Sequence, residues 1–299
     1  MAFLWGHYVG ALTPGAGDVQ RKNRQFGALQ EPVFRARLAL RLSMAKVENQ
    51  LRYLLRSTRP NSSEERPKEI EKGISRLRQE LTGMVRLGQD LDKFDPEKGI
   101  DDSNGPITEK IEKVVEAIRG HEGMAGREYF SILPFLLNLP QEDLLYFKGR
   151  NRRPPKDPFN ALLSFGYALL YKDCVAAILA VGLEPSVGFL HTPRSSAFPL
   201  ALDLMEIFRV ILWDIPLLGS VNRKQWKRED FDITANQVWL NSDGRRKAIQ
   251  LYESRKQEKW KHPVLDYSLS YARTIELEAR LLEKEWTGQP GLFAKLRLR

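Results

Sequence analysis

The sequence predicts a mainly α protein: a large helical domain, a short β segment at the N-terminus and a small hairpin near 231–244. Three observations carry that prediction. Apolar residues recur at three- and four-residue steps along most of the 299 residues, the period of a helix with one buried face. Strand-like stretches are confined to AFLWGHYVGALTP at the start and FDITANQVWLNSDG at 231–244. No longer period repeats along the chain.

Each element follows in order. The opening stretch is extended or turn-like, and Gly15, Ala16 and Gly17 mark a loop. From Glu31 to Arg56, the residues Leu40, Met44, Val47, Leu51 and Leu54 form one helical stripe, while Arg37, Arg41, Lys46, Arg52 and Arg56 take much of the remaining surface. STRPNSSEERP (57–67) is a polar linker, after which Ile70, Ile74, Leu77, Leu81 and Met84 define a second amphipathic helix. A loop over 93–106 ends where ITEKIEKVVEAI restarts the helical period. The chain then runs through RGHEGMAGREYFSIL (119–133) to a basic loop, FKGRNRRPPKDP (147–158). Further helices are expected at 158–181, 197–218, 243–261 and 264–286.

Composition narrows the function. Lys and Arg number 47 against 38 acids, a net charge of +9 that favours polyanionic partners, nucleic acid or an anionic membrane surface alike. The sequence reads as free of an apolar run of the ~18 residues a membrane span needs. Its N-terminus lacks the charged, apolar and cleavage regions of a signal peptide, so the expected compartment is the cytoplasm. The single cysteine, Cys174, excludes an internal disulfide and Cys-based zinc sites, and it reads as a small buried hydrophobe. There is no P-loop, no GxSxG elbow and no HExxH helix.

Chemistry concentrates in GFLHTPRSSAFPLALDLMEIFR (188–209). Asp203 and Glu206 interrupt an apolar surface made by Leu200, Leu202, Leu204, Ile207 and Phe208. A carboxylate buried there needs an arginine such as Arg209, a shared proton or a metal ion. Three residues apart on a helix, the two acids face one side, and His191 can approach from the preceding loop. A mixed imidazole and carboxylate set suits Mn²⁺, or Mg²⁺ with retained waters. Glu122 supplies a third acid, flanked by Gly123, Ala125 and Gly126, which admit either a phosphate or another helix. His121 diverges from Glu122 on a helix and is not expected to share its ligand. Arg150, Arg152, Arg153 and Lys156 crowd the basic loop beside the stiff Pro154–Pro155 pair, a form suited to clamping a nucleic-acid backbone.

Taken in order, RRPPKDPFNALLSFGYALLY, AAILAVGLEPSVGFLH and LALDLMEIFR resemble the core of the CRISPR-associated integrase family, the nuclease of spacer acquisition. HEGMAGREYF resembles that family's first acidic motif, and MAKVENQLRYLLR the helix before it. The similarity runs from about residue 2 to residue 286. It implies that Glu122, His191 and Glu206 ligate Mg²⁺ or Mn²⁺, with Asp203 a further catalytic acid close to the metal. It also implies DNA contacts from Tyr171, an aromatic position near the site, and from Arg194, a basic position able to hold the scissile phosphate. The implied reaction is a transesterification in which the 3′-hydroxyl of a short DNA duplex attacks a phosphodiester at the edge of a CRISPR repeat. The implied partners are double-stranded DNA, a second subunit and a small ferredoxin-like CRISPR adaptation protein.

The resemblance divides the chain into a remnant of a β-rich N-terminal domain (1–20), a helical catalytic domain (21–290) and a basic tail (291–299). Family members carry that β-rich domain in full and use it to pair subunits. This chain opens at what resembles its last hairpin, so the expectation is that several dozen residues are missing and that the chain associates unusually or dissolves poorly. A catalytically inactive DNA-binding or scaffold member, or an unrelated basic adaptor, are the rival readings. An adaptor has no reason to gather Glu122, His191 and Glu206.

Overall fold

The structure, a computed structural model, describes residues 2–4, 7–10, 17–58, 67–94, 107–151, 153–192, 197–261 and 267–298. Two short strands, β1 (Ala2–Leu4) and β2 (His7–Gly10), pair antiparallel at the N-terminus. Helix α1 (Gly17–Gln30) follows and crosses the boundary expected at residue 20. Its Gln25 amide bonds the carbonyls of Glu184 and Val187, so α1 braces the loop that leads to His191.

Helices α2 (Pro32–Ser57), α3 (Lys68–Asp92) and α4 (Ile107–Ile132) pack against one another as a three-helix layer. Glu31 caps α2, accepting the Val33 N–H at 3.0 Å, and Pro32 fits the first turn, where no amide partner is needed. The apolar stripes read from sequence become the shared core: Val47, Leu54, Ile74, Leu77, Met84, Ile111 and Ile118 are buried. Helix α4 continues well past the periodic segment at 107–118, straight through Gly120, Gly123 and Gly126.

The second half is built around α5 (Pro158–Val181), capped by Asp157 and closed by Gly182 at φ 88°, where a left-handed residue ends the helix. By length and a mean hydropathy of 1.5, α5 is also apolar enough to cross a membrane, which corrects the reading that no such run exists. Asn160, Ser164, Lys172 and Asp173 interrupt any continuous apolar run along it. In the fold α5 is surrounded by α6 (Pro199–Glu206), α8 (Ser242–Gln257) and α9 (Tyr271–Lys284).

Three expectations change. The single helix expected over 197–218 is divided: α6 ends in a tight turn, Arg209–Asp214 forms a π-helix, and α7 (Ile215–Asn222) resumes. Pro216 has no N–H and crowds the carbonyl four residues back, which an uninterrupted α-helix does not tolerate. The helices expected at 243–261 and 264–286 are shortened by a hairpin, β5 (Lys259–Lys261) with β6 (Ser268–Ser270). Trp260 stacks on Tyr271 at 5.7 Å across the hairpin's end. Finally, residues 291–298 do not trail away as a basic tail. Phe293, Ala294, Leu296 and Leu298 are buried, and Asn49 on α2 bonds the backbone of Leu296 and Leu298. The hairpin read at 231–244 is present as β3 (Phe231–Ile233) and β4 (Val238–Leu240), and the Val238 N–H bonds the Pro155 carbonyl of the basic loop.

Candidate active site

The layer α2–α4 and the α5–α6 half meet at a cleft of about 580 Å³. Helix α2 contributes Lys46 and Gln50, α4 contributes Glu122, Gly123, Gly126, Arg127 and Phe130, and the other half contributes Tyr167, His191, Glu206 and Arg209. Segments distant in sequence therefore share one cleft.

His191 is held by Asp203. The Asp203 carboxylate is fully buried and accepts the N–H groups of Phe189 (2.7 Å), Leu190 (3.1 Å) and His191 (2.9 Å). Its Oδ1 also meets the His191 ring at Nδ1, 2.6 Å away. A Cβ at Gly188 would lie 2.7 Å from Asp203 Oδ2, so only glycine lets this loop wrap the carboxylate. Arg119 ties the same loop to α4 through the Leu190 carbonyl at 2.9 Å. Asp203 and Glu206 do not present their carboxylates to one point, as helical spacing alone implies. Asp203 spends its oxygens orienting the imidazole, whose Nε2 is left facing Glu206 Oε1 at 4.0 Å.

Glu206, at the end of α6, is 3% exposed and receives Arg209 Nη2 at 2.8 Å and Lys46 Nζ at 2.7 Å. Burial works against its charge, but Arg209, Lys46 and His191 prevail and hold the carboxyl down at about 2. The same Lys46 ammonium also bonds Glu122. Burial opposes the charge on Lys46 too, and Glu206 and Glu122 outweigh it, raising its pKa above the lysine norm. For His191, burial is likewise outweighed by Asp203 and Glu206, and the ring is raised above 6.5. Among the described residues, no three acidic, imidazole or thiol side chains surround one point closely enough to hold a metal. The Lys46 ammonium stands between the two glutamates.

A buried network backs the cleft. Arg209 lies over the Tyr167 ring at 4.5 Å, and the Tyr167 and Tyr129 hydroxyls donate to Asp214 at 2.7 and 2.9 Å. Burial lifts Asp214 to about 6 in spite of both phenols.

The family description "CRISPR associated protein Cas1" matches residues 4–254. The chain belongs to the Cas1 family. A Cas4/Cas1 fusion described as exonuclease and endonuclease, from Leptospira interrogans, is 50% identical over 98% of this chain and 49% of its own length. A similar fusion from Myxococcus xanthus is 48% identical over 98% of this chain and 47% of its own length, so the chain spans about half of these curated relatives. A Cas1 endonuclease from Moorella thermoacetica is 34% identical over 92% of this chain and 73% of its own. Among solved structures, Cas1 from Thermotoga maritima superposes with a TM-score of 0.68 at 25% identity, covering 95% of this chain and 79% of that one. A casposase bound to integration product shares the fold, with a TM-score of 0.69 at 23% identity over 97% of this chain and 71% of that one.

Within this Cas1 fold the sequence-derived candidates separate. Glu122, His191 and Glu206 line the cleft, and Asp203 lies directly behind His191. Arg150 also lines it, but its guanidinium is committed to Asn160 (2.7 Å), Ser164 and the Asn151 carbonyl, which makes it a structural pin of the basic loop. Arg153 and Lys156 are exposed and do not line the cleft. Tyr171 does not line it either: its hydroxyl accepts the Phe198 N–H at 2.8 Å and so fixes the start of α6. Arg152 and Arg194 lie outside the described residues. His121 pairs with Glu80 at 2.6 Å, away from the ligand of Glu122. A Cβ on Gly123 or Gly126 would meet nothing within 4 Å, so these glycines serve no helix crossing and leave the cleft floor bare. Lys46, Gln50, Arg127 and Tyr167 also line the cleft and are not among the sequence-derived candidates. A signal was present: Lys46, Asn49 and Gln50 place three polar groups against the apolar stripe of α2, and all three are largely buried.

Proposed function

We propose that this chain is a divalent-metal-dependent DNA endonuclease and integrase of CRISPR adaptation, joining 3′-hydroxyl ends of short duplexes to repeat DNA. One observation carries the reading: Glu122 and Glu206 already share a single cation, with His191 beside them. The donors fit a hard ion. Two carboxylates and an imidazole whose Nδ1 is engaged by a buried carboxylate are the set that Mg²⁺ or Mn²⁺ prefers, and Asp203 fixes which ring nitrogen is offered. When bound, the ion supplies polarisation of the phosphoryl oxygens and charge compensation at the leaving 3′ oxygen.

The remaining work falls to the chain itself. Arg209 keeps Glu206 ionised, and Asp203 holds His191 in place. Lys148, Arg127 and Arg150 set positive charge along the cleft, where it attracts a phosphate backbone without reading sequence. Gly123 and Gly126 let that backbone come close to α4. The new P–O bond forms as the old one breaks in line, so no covalent protein intermediate is required. In support, relatives bear the name endonuclease, and two solved neighbours are complexes of a Cas6-RT-Cas1 protein with Cas2. By extension, the partners here are duplex DNA, a second subunit and a small ferredoxin-like protein.

Glu206→Ala and His191→Ala are expected to abolish Mn²⁺-dependent nicking and joining of labelled duplexes while a gel-shift assay still shows DNA binding. Joining retained by either variant would overturn the assignment.

A further inference from the structure

Among the described residues, Lys46 is the one that touches both glutamates of the cleft, and its side chain is only 12% exposed. It does not serve as a generic surface ion pair. Its ammonium lies 2.7 Å from Glu206 Oε2 and bonds Glu122 Oε1, while Glu206 Oε1 is satisfied separately by Arg209 at 2.8 Å. Two carboxylates brought together without a cation repel, and one of them takes up a proton instead. An ammonium carries charge but no lone pair, so it can replace a metal ion against these oxygens and cannot ligate one. A divalent ion placed between these two oxygens meets the ammonium's charge at close range, so the two cations compete for that position.

We propose that Lys46 is a resident counterion of the catalytic glutamates, and that a divalent cation and the Lys46 ammonium occupy the Glu122–Glu206 pair in alternation. The proposal rests on the metal-dependent reading above and deepens it. Lys46 keeps the two acids gathered and ionised when no metal is bound, and it weakens metal binding because the ion must displace it. The flexible four-carbon stem lets the ammonium leave the carboxylates while α2 stays in place.

Two measurements on the full chain test this. First, Mn²⁺ binding is followed by electron paramagnetic resonance of the free ion for the wild type, Lys46→Met and Arg127→Met. Arg127 lines the same cleft and, among the described residues, touches neither glutamate, so its variant removes equal charge without removing the competitor. Lys46→Met is expected to bind Mn²⁺ about tenfold more tightly or better, the worth of one charge-assisted hydrogen bond lost by the competitor, and Arg127→Met to change little. Second, amine acetylation of the wild type is read by mass spectrometry, which needs no variant to fold. Lys46 is expected to label slowly in EDTA and several-fold faster with saturating Mn²⁺. Equal Mn²⁺ affinity in wild type and Lys46→Met, an equal gain in Arg127→Met, or unchanged labelling of Lys46 with Mn²⁺ bound would each overturn the exchange and leave the metal reading standing. No Mn²⁺ binding by any of the three proteins would overturn both.

Discussion

At the residue scale the site depends on Asp203 more than its depth suggests. Its two oxygens accept three backbone N–H groups and face the His191 ring, so the carboxylate sets both the loop path and the imidazole's orientation. Asparagine is nearly isosteric but turns one acceptor into a donor, which then faces N–H groups already pointing inward. On the proposed metal reading, Asp203→Asn is therefore expected to lower Mn²⁺ affinity by about 10–100-fold, the usual effect of losing a group that orients a metal-binding histidine. It should also cost about 1–3 kcal/mol of stability, from unsatisfied buried donors. Calorimetric Mn²⁺ titration and urea unfolding of the variant check the two parts. Wild-type Mn²⁺ affinity would show that His191 is placed by something else.

Among the elements, glycines on α4 and α5 play opposite parts. Gly166 on α5 faces the buried Trp213 of the π-helix, and a Cβ there would lie 1.9 Å from the indole. The close approach lets Trp213 donate to the Leu162 carbonyl at 3.1 Å and sets where the π-helix, with Arg209 at its start, leaves α6. Gly166→Ala is expected to destabilise the fold by about 1–3 kcal/mol through overpacking. Gly123 on α4 has open space around it, and alanine is the better helix former. Gly123→Ala should thus raise stability by about 0.5–1 kcal/mol. Thermal unfolding of the pair measures both signs, and a drop for Gly123→Ala would mean that the helix there is packed after all.

For the whole molecule, the C-terminal segment closes the core. Glu285 accepts the Gly291 and Phe293 N–H groups and pairs with Arg41 at 2.7 Å, while Glu278 accepts the Ala294 N–H at 3.0 Å. Glu278 is fully buried, and burial pushes its carboxyl from an ordinary 4.5 up to about 7. A carboxyl raised in the folded state binds its proton more tightly there than in the unfolded chain, so stability falls as pH rises from about 4.5 to about 7. At ~1.4 kcal/mol per pH unit, the ionised form costs about 3 kcal/mol above that window. Glu278→Gln, which cannot ionise, should exceed the wild type in stability at pH 8 by up to that amount and lose its advantage near pH 4. Urea unfolding across this range tests it, and a pH-independent difference would remove the buried carboxyl as the cause.

The sequence by itself determined the helical class and the stripes that became the core of α2, α3 and α4. Those features are local, because burial of one helix face imposes a period of 3.6 residues on the residues that make it. Only the tertiary structure decided who meets whom. It turned Asp203 into the support of His191, committed Arg150 to Asn160 and Tyr171 to Phe198, and set Lys46 against a glutamate 76 positions away. It also broke the expected 197–218 helix and folded residues 291–298 into the core. Such pairings follow from the packing of whole elements and the need to match every buried charge, and no local pattern carries that information.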